Sequence, residues 1–349
     1  MKMNSRTTAF SLVLFFLPTQ VGAETQEWPD ISAPIVRGGG EGDAAVIVAL
    51  ERYAFVGPVP GARSNGIDWY NYLTKGRGAS EERVKLLRDQ QATVEKLRLF
   101  VGEAAEKVQP GGTLWFVFIG HGAPSKDGKD GVLVGADAQQ DALSLYARSF
   151  PRSELLDALA KSKAARIVVV LDSCFSGRTS GGRPIVEGLQ PLVLARDTGA
   201  LDPRVALLTA AKSDEFAGPL PGLGRPAFSY LVLGGLRGWA DSDGKGIVTA
   251  AKLHAYANKT LGAILTDRTQ TPTLDGAAVE QPLARAQEKA PELGALVVRH
   301  GAAPVVVPRI EIPGVPTLPE SLTSGGIPEA PVWKGAAATS GIQLGADVE

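Results

Sequence analysis

Four stretches of the chain are apolar almost throughout, and each has the length of a strand: Ala44–Leu50, Thr113–Ile119, Arg166–Leu171 and Val205–Ala210. Runs of this kind lack the alternation of a half-exposed strand and mark strands covered on both faces. Val84–Leu87 reads as a further short strand. Gly57–Gly66 reads as loop, and helical spacing follows in Ile67–Thr74. Thr93 can cap a helix running to Val108, with Val94, Leu97, Val101, Ala105 and Val108 on one face and Pro110-Gly111-Gly112 ending it. Arg152–Ser162, Ala227–Trp239 and Thr249–Leu261 read as further helices. Strands that alternate with helices predict an α/β fold, with a mostly parallel central sheet and helices on both faces. The flanks differ. Residues 24–42 carry Pro29, Pro34 and Gly38-Gly39-Gly40 and read as a linker, which leaves 43–280 as the folded domain. Residues 281–349 form a Pro/Gly/Ala-rich tail, with seven prolines between Pro304 and Pro331.

The first residues have another character. Lys2 and Arg6 precede the apolar run Ala9–Leu17, and Val21-Gly22-Ala23 has the small residues of a cleavage site. Residues 1–23 therefore read as a signal peptide, which predicts an exported protein, periplasmic or extracellular, with no membrane attachment after cleavage. Across 349 residues, 36 Lys and Arg stand against 37 Asp and Glu. That balance offers no basic surface for nucleic acid. A single cysteine and three histidines exclude an internal disulfide and a Cys-rich zinc site, so neither a metal nor a cofactor is expected.

Two of the buried runs end in reactive side chains. Thr113–Ile119 leads into Gly120-His121-Gly122, and Arg166–Leu171 leads into Asp172-Ser173-Cys174-Phe175-Ser176-Gly177. In an open parallel sheet, ligands bind at the carboxyl ends of the strands. A thiol is a weak nucleophile until an imidazole takes its proton or stabilises the thiolate. A lone strand-end cysteine is more often a small buried hydrophobe, and a single Gly-His-Gly is more often a turn. Their joint occurrence after two buried strands favours a catalytic pair. A redox thiol is a poorer reading, because the chain holds no resolving cysteine.

Phe118-Ile119-Gly120-His121-Gly122 and Asp172-Ser173-Cys174-Phe175-Ser176-Gly177 resemble the His and Cys motifs of the caspase-like peptidases, nearer the metacaspase and bacterial orthocaspase branch. Caspases place their His about 50 residues before the Cys, close to the separation here. The resemblance runs from Ala44 through Val59-Pro60-Gly61-Ala62 to Gln270-Thr271-Pro272, and it implies the caspase-like sandwich fold. It also implies a cysteine endopeptidase acting on proteins or peptides through an acyl-enzyme. His121 is then general base and acid, Cys174 the nucleophile, and the N–H groups of Gly122 and Cys174 the oxyanion hole. Asp172 would belong to an acidic substrate pocket, which implies cleavage after Arg or Lys; its other reading is a cap or loop anchor. The Gln-Ala-Cys of true caspases is absent. Asn65 stands where a second pocket acid is often found, with Asp68 as a nearby substitute. Ile119 stands in place of a frequent Ser and Phe175 in place of a frequent His.

The competing reading is a catalytically silent caspase-like module that binds peptides or protein partners through the tail. The segment Arg178–Arg204, rich in Gly and Pro and holding four arginines, reads as an exposed loop open to self-cleavage. Asp241-Ser242-Asp243-Gly244-Lys245-Gly246 resembles the start of a calcium loop. Lys245 at its fifth position and Lys252 at its twelfth do not support calcium binding, and a turn before a helix is preferred. His254 and His300 read as packing or surface residues, and Trp69, Trp115 and Trp239 as core or pocket wall.

Overall fold

The computed structural model describes residues 27–33, 38–177, 185, 201–293 and 296. Residues 1–26 and most of Arg178–Arg204 lie outside the described residues, as do His300 and the proline-rich tail. The strands are β1 (Ala44–Ala49), β2 (Val84–Arg88), β3 (Thr113–Ile119), β4 (Gly122–Pro124), β5 (Gly131–Val134), β6 (Ser149–Pro151), β7 (Arg166–Asp172), β8 (Val205–Thr209), β9 (Ile247–Thr249), β10 (Thr273–Asp275) and β11 (Pro282–Arg285). The helices are α1 (Ala62–Asn71), α2 (Val94–Lys107), α3 (Ala142–Ala147), α4 (Arg152–Ala160), α5 (Ala227–Gly234) and α6 (Ala250–Ile264).

The main sheet has six strands in the order β10-β8-β7-β3-β1-β2. All its pairs are parallel except β10 with β8. β1 and β3 are buried at every position, as continuous apolar runs require when both faces are covered. Alternate residues feed two separate cores. Val46 and Val48 face Leu97, Val101, Leu155 and Leu159 of α2 and α4. Ala45 and Ile47 face Trp69 of α1, Leu231 of α5 and Leu253 of α6. The result is a three-layer α/β sandwich with a mostly parallel central sheet.

Three differences from the sequence pattern have physical causes. Helix α1 begins at Ala62 inside the expected loop, because Gly61 takes φ 78° at the cap. A side chain on Gly61 would press on the backbone of Arg225, so this close approach also requires glycine. Residues expected to be linker pack instead: Trp28 and Ile31 are buried, and Arg237 of the π-helical turn Gly235–Trp239 donates to the carbonyls of Ile31 and Ala33. Beyond 280, β11 pairs with β9 and Leu296 is fully buried, so the fold runs past the expected boundary. Among the described residues no helix is long and apolar enough to cross a membrane.

One buried charge ties the sheet's amino edge. Asp43 accepts from the Thr113 N–H at 2.7 Å, Trp115 Nε1 at 3.0 Å and Arg77 Nε at 2.9 Å. Arg77 also donates to the Leu283 carbonyl, which joins β1, β3 and β11. Asp43→Ala would strand a buried guanidinium and two donors. We expect a loss of about 3–5 kcal/mol in urea unfolding, the cost of breaking a buried pair from one side; a loss below 1 kcal/mol would show that water replaces the carboxylate.

Candidate active site

Parallel pairing of β3 with β7 sets Ile119 opposite Asp172. His121 and Cys174 each lie two residues beyond that pair, at the carboxyl ends of adjacent strands. The Gly120 N–H donates to the Asp172 carbonyl at 3.2 Å and carries the pairing one step further. His121, Asp172 and Cys174 all line one cavity of about 300 Å³, walled by Val59, Pro60, Ala217–Pro219, Gly224 and Pro226. Gly122 backs onto the Cys174 turn: a Cβ there would fall 2.7 Å from the Cys174 carbonyl oxygen. Phe175 fills space against Gly122 and Gly131 with the Arg152 guanidinium over its ring, so it anchors the turn from below. Ile119 is core.

Two groups orient the histidine. Its Nε2 lies 2.8 Å from the Gly57 carbonyl, and its N–H donates to the Tyr53 hydroxyl at 2.7 Å. A carbonyl only accepts, so Nε2 carries the proton and Nδ1 keeps a lone pair. Burial pushes the His121 pKa below the usual value, partly offset by the Gly57 hydrogen bond. Burial also pushes the Cys174 thiol up, against hydrogen bonds from Ser176 and the Ala217 N–H that lower it. The resting pair is therefore neutral imidazole and neutral thiol.

Asp172 accepts from the Ser229 N–H in the first turn of α5 at 2.6 Å. Burial raises its pKa to about 6, and Ser229 hydrogen bonds and the more distant Arg268 restrain the shift. Asn65 and Asp68 do not line the cavity. Asn65 donates to the Pro226 carbonyl and the Ser229 hydroxyl, both at 2.8 Å, and accepts from Arg225 Nε at 2.6 Å. Asp68 is paired with the same Arg225, and burial pushes its pKa up against that partner. The expected direct substrate contacts of these two residues are thus replaced by a brace behind the cavity. An acid at 65 would set a carboxylate against the Pro226 carbonyl, whereas the amide donates to it.

The sequence pattern did not single out Tyr53, Gly57, Arg225 or Ser229. Gln270, noted only as the resemblance boundary, holds the cavity wall by accepting from the Gly218 N–H and donating to the Ala210 carbonyl. Among the described residues no group of three His, Cys, Asp or Glu converges as a metal site would require.

His121 and Cys174 thus stand at the ends of adjacent strands of the sandwich and border one cavity. The model of the caspase domain family matches residues 43–267, more than half of the chain. The chain belongs to the caspase domain family. Among solved structures, it is similar to a structural-genomics protein from Geobacter sulfurreducens, 18% identical over 70% of this chain and 99% of that one, with a TM-score of 0.48. It is also similar to caspase-1 from Spodoptera frugiperda, 12% identical over 77% of this chain and 99% of that one, with a TM-score of 0.45. No curated protein matches it.

The raised pKa of Asp172 makes a stability prediction. The folded state holds this proton up to about pH 6 while the unfolded chain releases it near 3.8, so stability falls as pH rises through that window. Asp172→Asn removes the cost of the buried charge. The variant should be more stable than wild type at pH 7.5, by up to about 1–3 kcal/mol, and equal to it at pH 4. A variant less stable at pH 7.5 would mean that the carboxylate is fully paired in the fold.

Proposed function

We propose that this protein is a cysteine endopeptidase that cleaves after Arg or Lys through a Cys174–His121 dyad. The observation that carries the reading is the single cavity bordered by the thiol, the imidazole and the Asp172 carboxylate. Substrate binding expels water and brings a carbonyl to the thiol. Cys174 Sγ attacks the carbonyl carbon while its proton passes to His121 Nδ1. The tetrahedral oxyanion is held by the N–H groups of Gly122 and Cys174. As the C–N bond breaks, the imidazolium gives its proton to the leaving amine and a thioester remains. Water then loses a proton to Nδ1 and attacks the thioester, releasing the acid and restoring the thiol. Gly57 holds the ring in the tautomer that each step needs.

The basic preference rests on Asp172, since Arg225 already neutralises Asp68 and occupies the Asn65 oxygen. A substrate guanidinium or ammonium would offset the burial that raises the Asp172 pKa. We also infer that the protein is exported and that cleavage after Ala23 leaves a short lead before the docked Trp28. Edman sequencing of the secreted chain should give Glu24 first. Self-cleavage between Cys174 and β8 belongs to the same proposal, but Arg204 is an unsuitable target. Its guanidinium binds the carbonyls of Ala160, Ser162 and Ala164 and pairs with Asp202.

Turnover of a peptide library tests the dyad. Cys174→Ala should lower kcat/KM by at least about 10³-fold, with His121→Ala nearly as damaging. A wild type that binds peptides without turning any over would favour the silent-module reading. Specificity has its own signature. The ratio of kcat/KM for Arg over neutral substrates should fall as pH drops through about 6, the Asp172 value in the free enzyme. Asp172→Asn should lower that ratio by about ten- to hundred-fold at pH 7.5 and make it insensitive to pH. Equal losses on all substrates would assign Asp172 a structural role.

A further inference from the structure

The turn that opens at Asp241 has the layout of a calcium-binding loop of the EF type. Such a loop offers side-chain oxygens from positions 1, 3 and 5, a backbone carbonyl from position 7 and a bidentate glutamate from position 12, with glycine at 6. Counted from Asp241, positions 1 and 3 are Asp241 and Asp243, and position 6 is Gly246 at φ 73°. The Gly246 N–H donates to Asp241 Oδ2 at 2.9 Å and closes the turn. Position 7 is Ile247, where β9 begins and pairs with β11, and α6 starts three residues later. The departures are Lys245 at position 5 and Lys252 at position 12.

Lys252 occupies the centre that a cation would take. Its Nζ lies 3.2 Å from Asp241 Oδ1, 2.5 Å from Asp243 Oδ1 and 2.7 Å from the Ile247 carbonyl. These oxygens come from positions 1, 3 and 7, and an ammonium has three donors to give them. Lys245 is exposed and only flanks the cluster, 3.6 Å from Asp243 Oδ2. The ammonium holds the Asp243 carboxyl well below the usual carboxylate range, and the two acids raise Lys252 in return. A divalent ion entering here would have to displace a tethered ammonium. It would gain neither the bidentate oxygen at position 12 nor an oxygen at position 5.

We propose that Lys252 is a built-in cation for a calcium-type loop, so that α6 is locked to the Asp241 turn without calcium and the loop takes up no divalent ion. The lock bears on the rest of the domain through α6. Its His254 Nε2 lies 2.9 Å from the Pro272 carbonyl, next to the Gln270 and Thr271 that brace the cavity wall. This inference does not depend on the proposed peptidase activity, and its readouts do not use turnover.

Terbium luminescence and thermal melting of the full chain test it, with melting compared in calcium chloride and in EGTA. Trp239 borders the same cleft as Asp241 and Lys252 and can sensitise a bound terbium ion. The wild type should give no saturable signal at the loop and should melt at one temperature in both buffers. Lys252→Met keeps the stem, removes the charge and should melt a few degrees lower in EGTA. A Lys245→Asp/Lys252→Glu double variant restores oxygens at positions 5 and 12. It should gain saturable, calcium-competed luminescence and a higher Tm in calcium, and adding Asp241→Asn should abolish both. A saturable terbium signal in the wild type that Asp241→Asn removes overturns the proposal, as does a Lys252→Met variant melting with the wild type. A folded double variant with no signal overturns the calcium-loop assignment. Should the double variant fail to fold, the wild-type and Lys252→Met arms still decide.

Discussion

The parallel pairing of β3 with β7 is the constraint on which the site depends. Its register sets Ile119 against Asp172, and the same two-residue overhang on each strand then delivers His121 and Cys174 to one cavity. A slip of one residue would turn one of the two side chains to the opposite face of the sheet. Alternate residues of both strands feed the two cores, and the paired register runs from Thr113 opposite Arg166 to Ile119 opposite Asp172. The 52 residues between histidine and cysteine contain a complete crossover, from the β4–β6 hairpins through α4 to β7. Their number matters less than the fact that both ends are pinned in adjacent strands.

Burial gives this site its electrostatic character and carries a cost. It lowers His121 and raises Cys174, so the two groups rest uncharged, and it raises Asp172 into the range where proteins work. A buried carboxylate without a full charge partner destabilises the domain at neutral pH. A substrate cation of the kind proposed above would supply the missing partner. Arg225 shows the contrast: it neutralises Asp68 and engages Asn65, which leaves Asp172 as the one carboxylate lining the cavity among the described residues.

The central strands were legible in the sequence because continuous apolar runs have only one comfortable place in an α/β sandwich. Thr113–Ile119 was located residue for residue, and the Thr93 cap was visible because its bond to Lys96 is local. That His121 and Cys174 share one cavity could be read for the same reason, as polar residues following those runs. What escaped was long-range. Arg225 meets Asn65 across 160 positions, and Trp28 donates to the Pro221 carbonyl across 193. No periodicity encodes such pairs, so a Pro-containing segment around Trp28 looked like linker. The short strands β4–β6 and β9–β11 escaped as well, since three or four residues are too few to show a period. At Lys252 the sequence showed that a calcium ligand was missing, but only the fold shows the ammonium filling the gap.

The central claim is that the β3–β7 register makes Cys174 a nucleophile through His121. Intact-mass analysis and peptide mapping after treatment with a peptidyl-arginine chloromethyl ketone test it most directly. Rapid, selective alkylation by this reagent calls for a seated basic side chain and a sulfur activated by a neighbouring imidazole. The account predicts a single adduct on the Cys174 peptide of the folded wild type, formed far more slowly in His121→Ala and suppressed by unfolding. An adduct that forms equally fast without His121, or only after the protein is denatured, would contradict it.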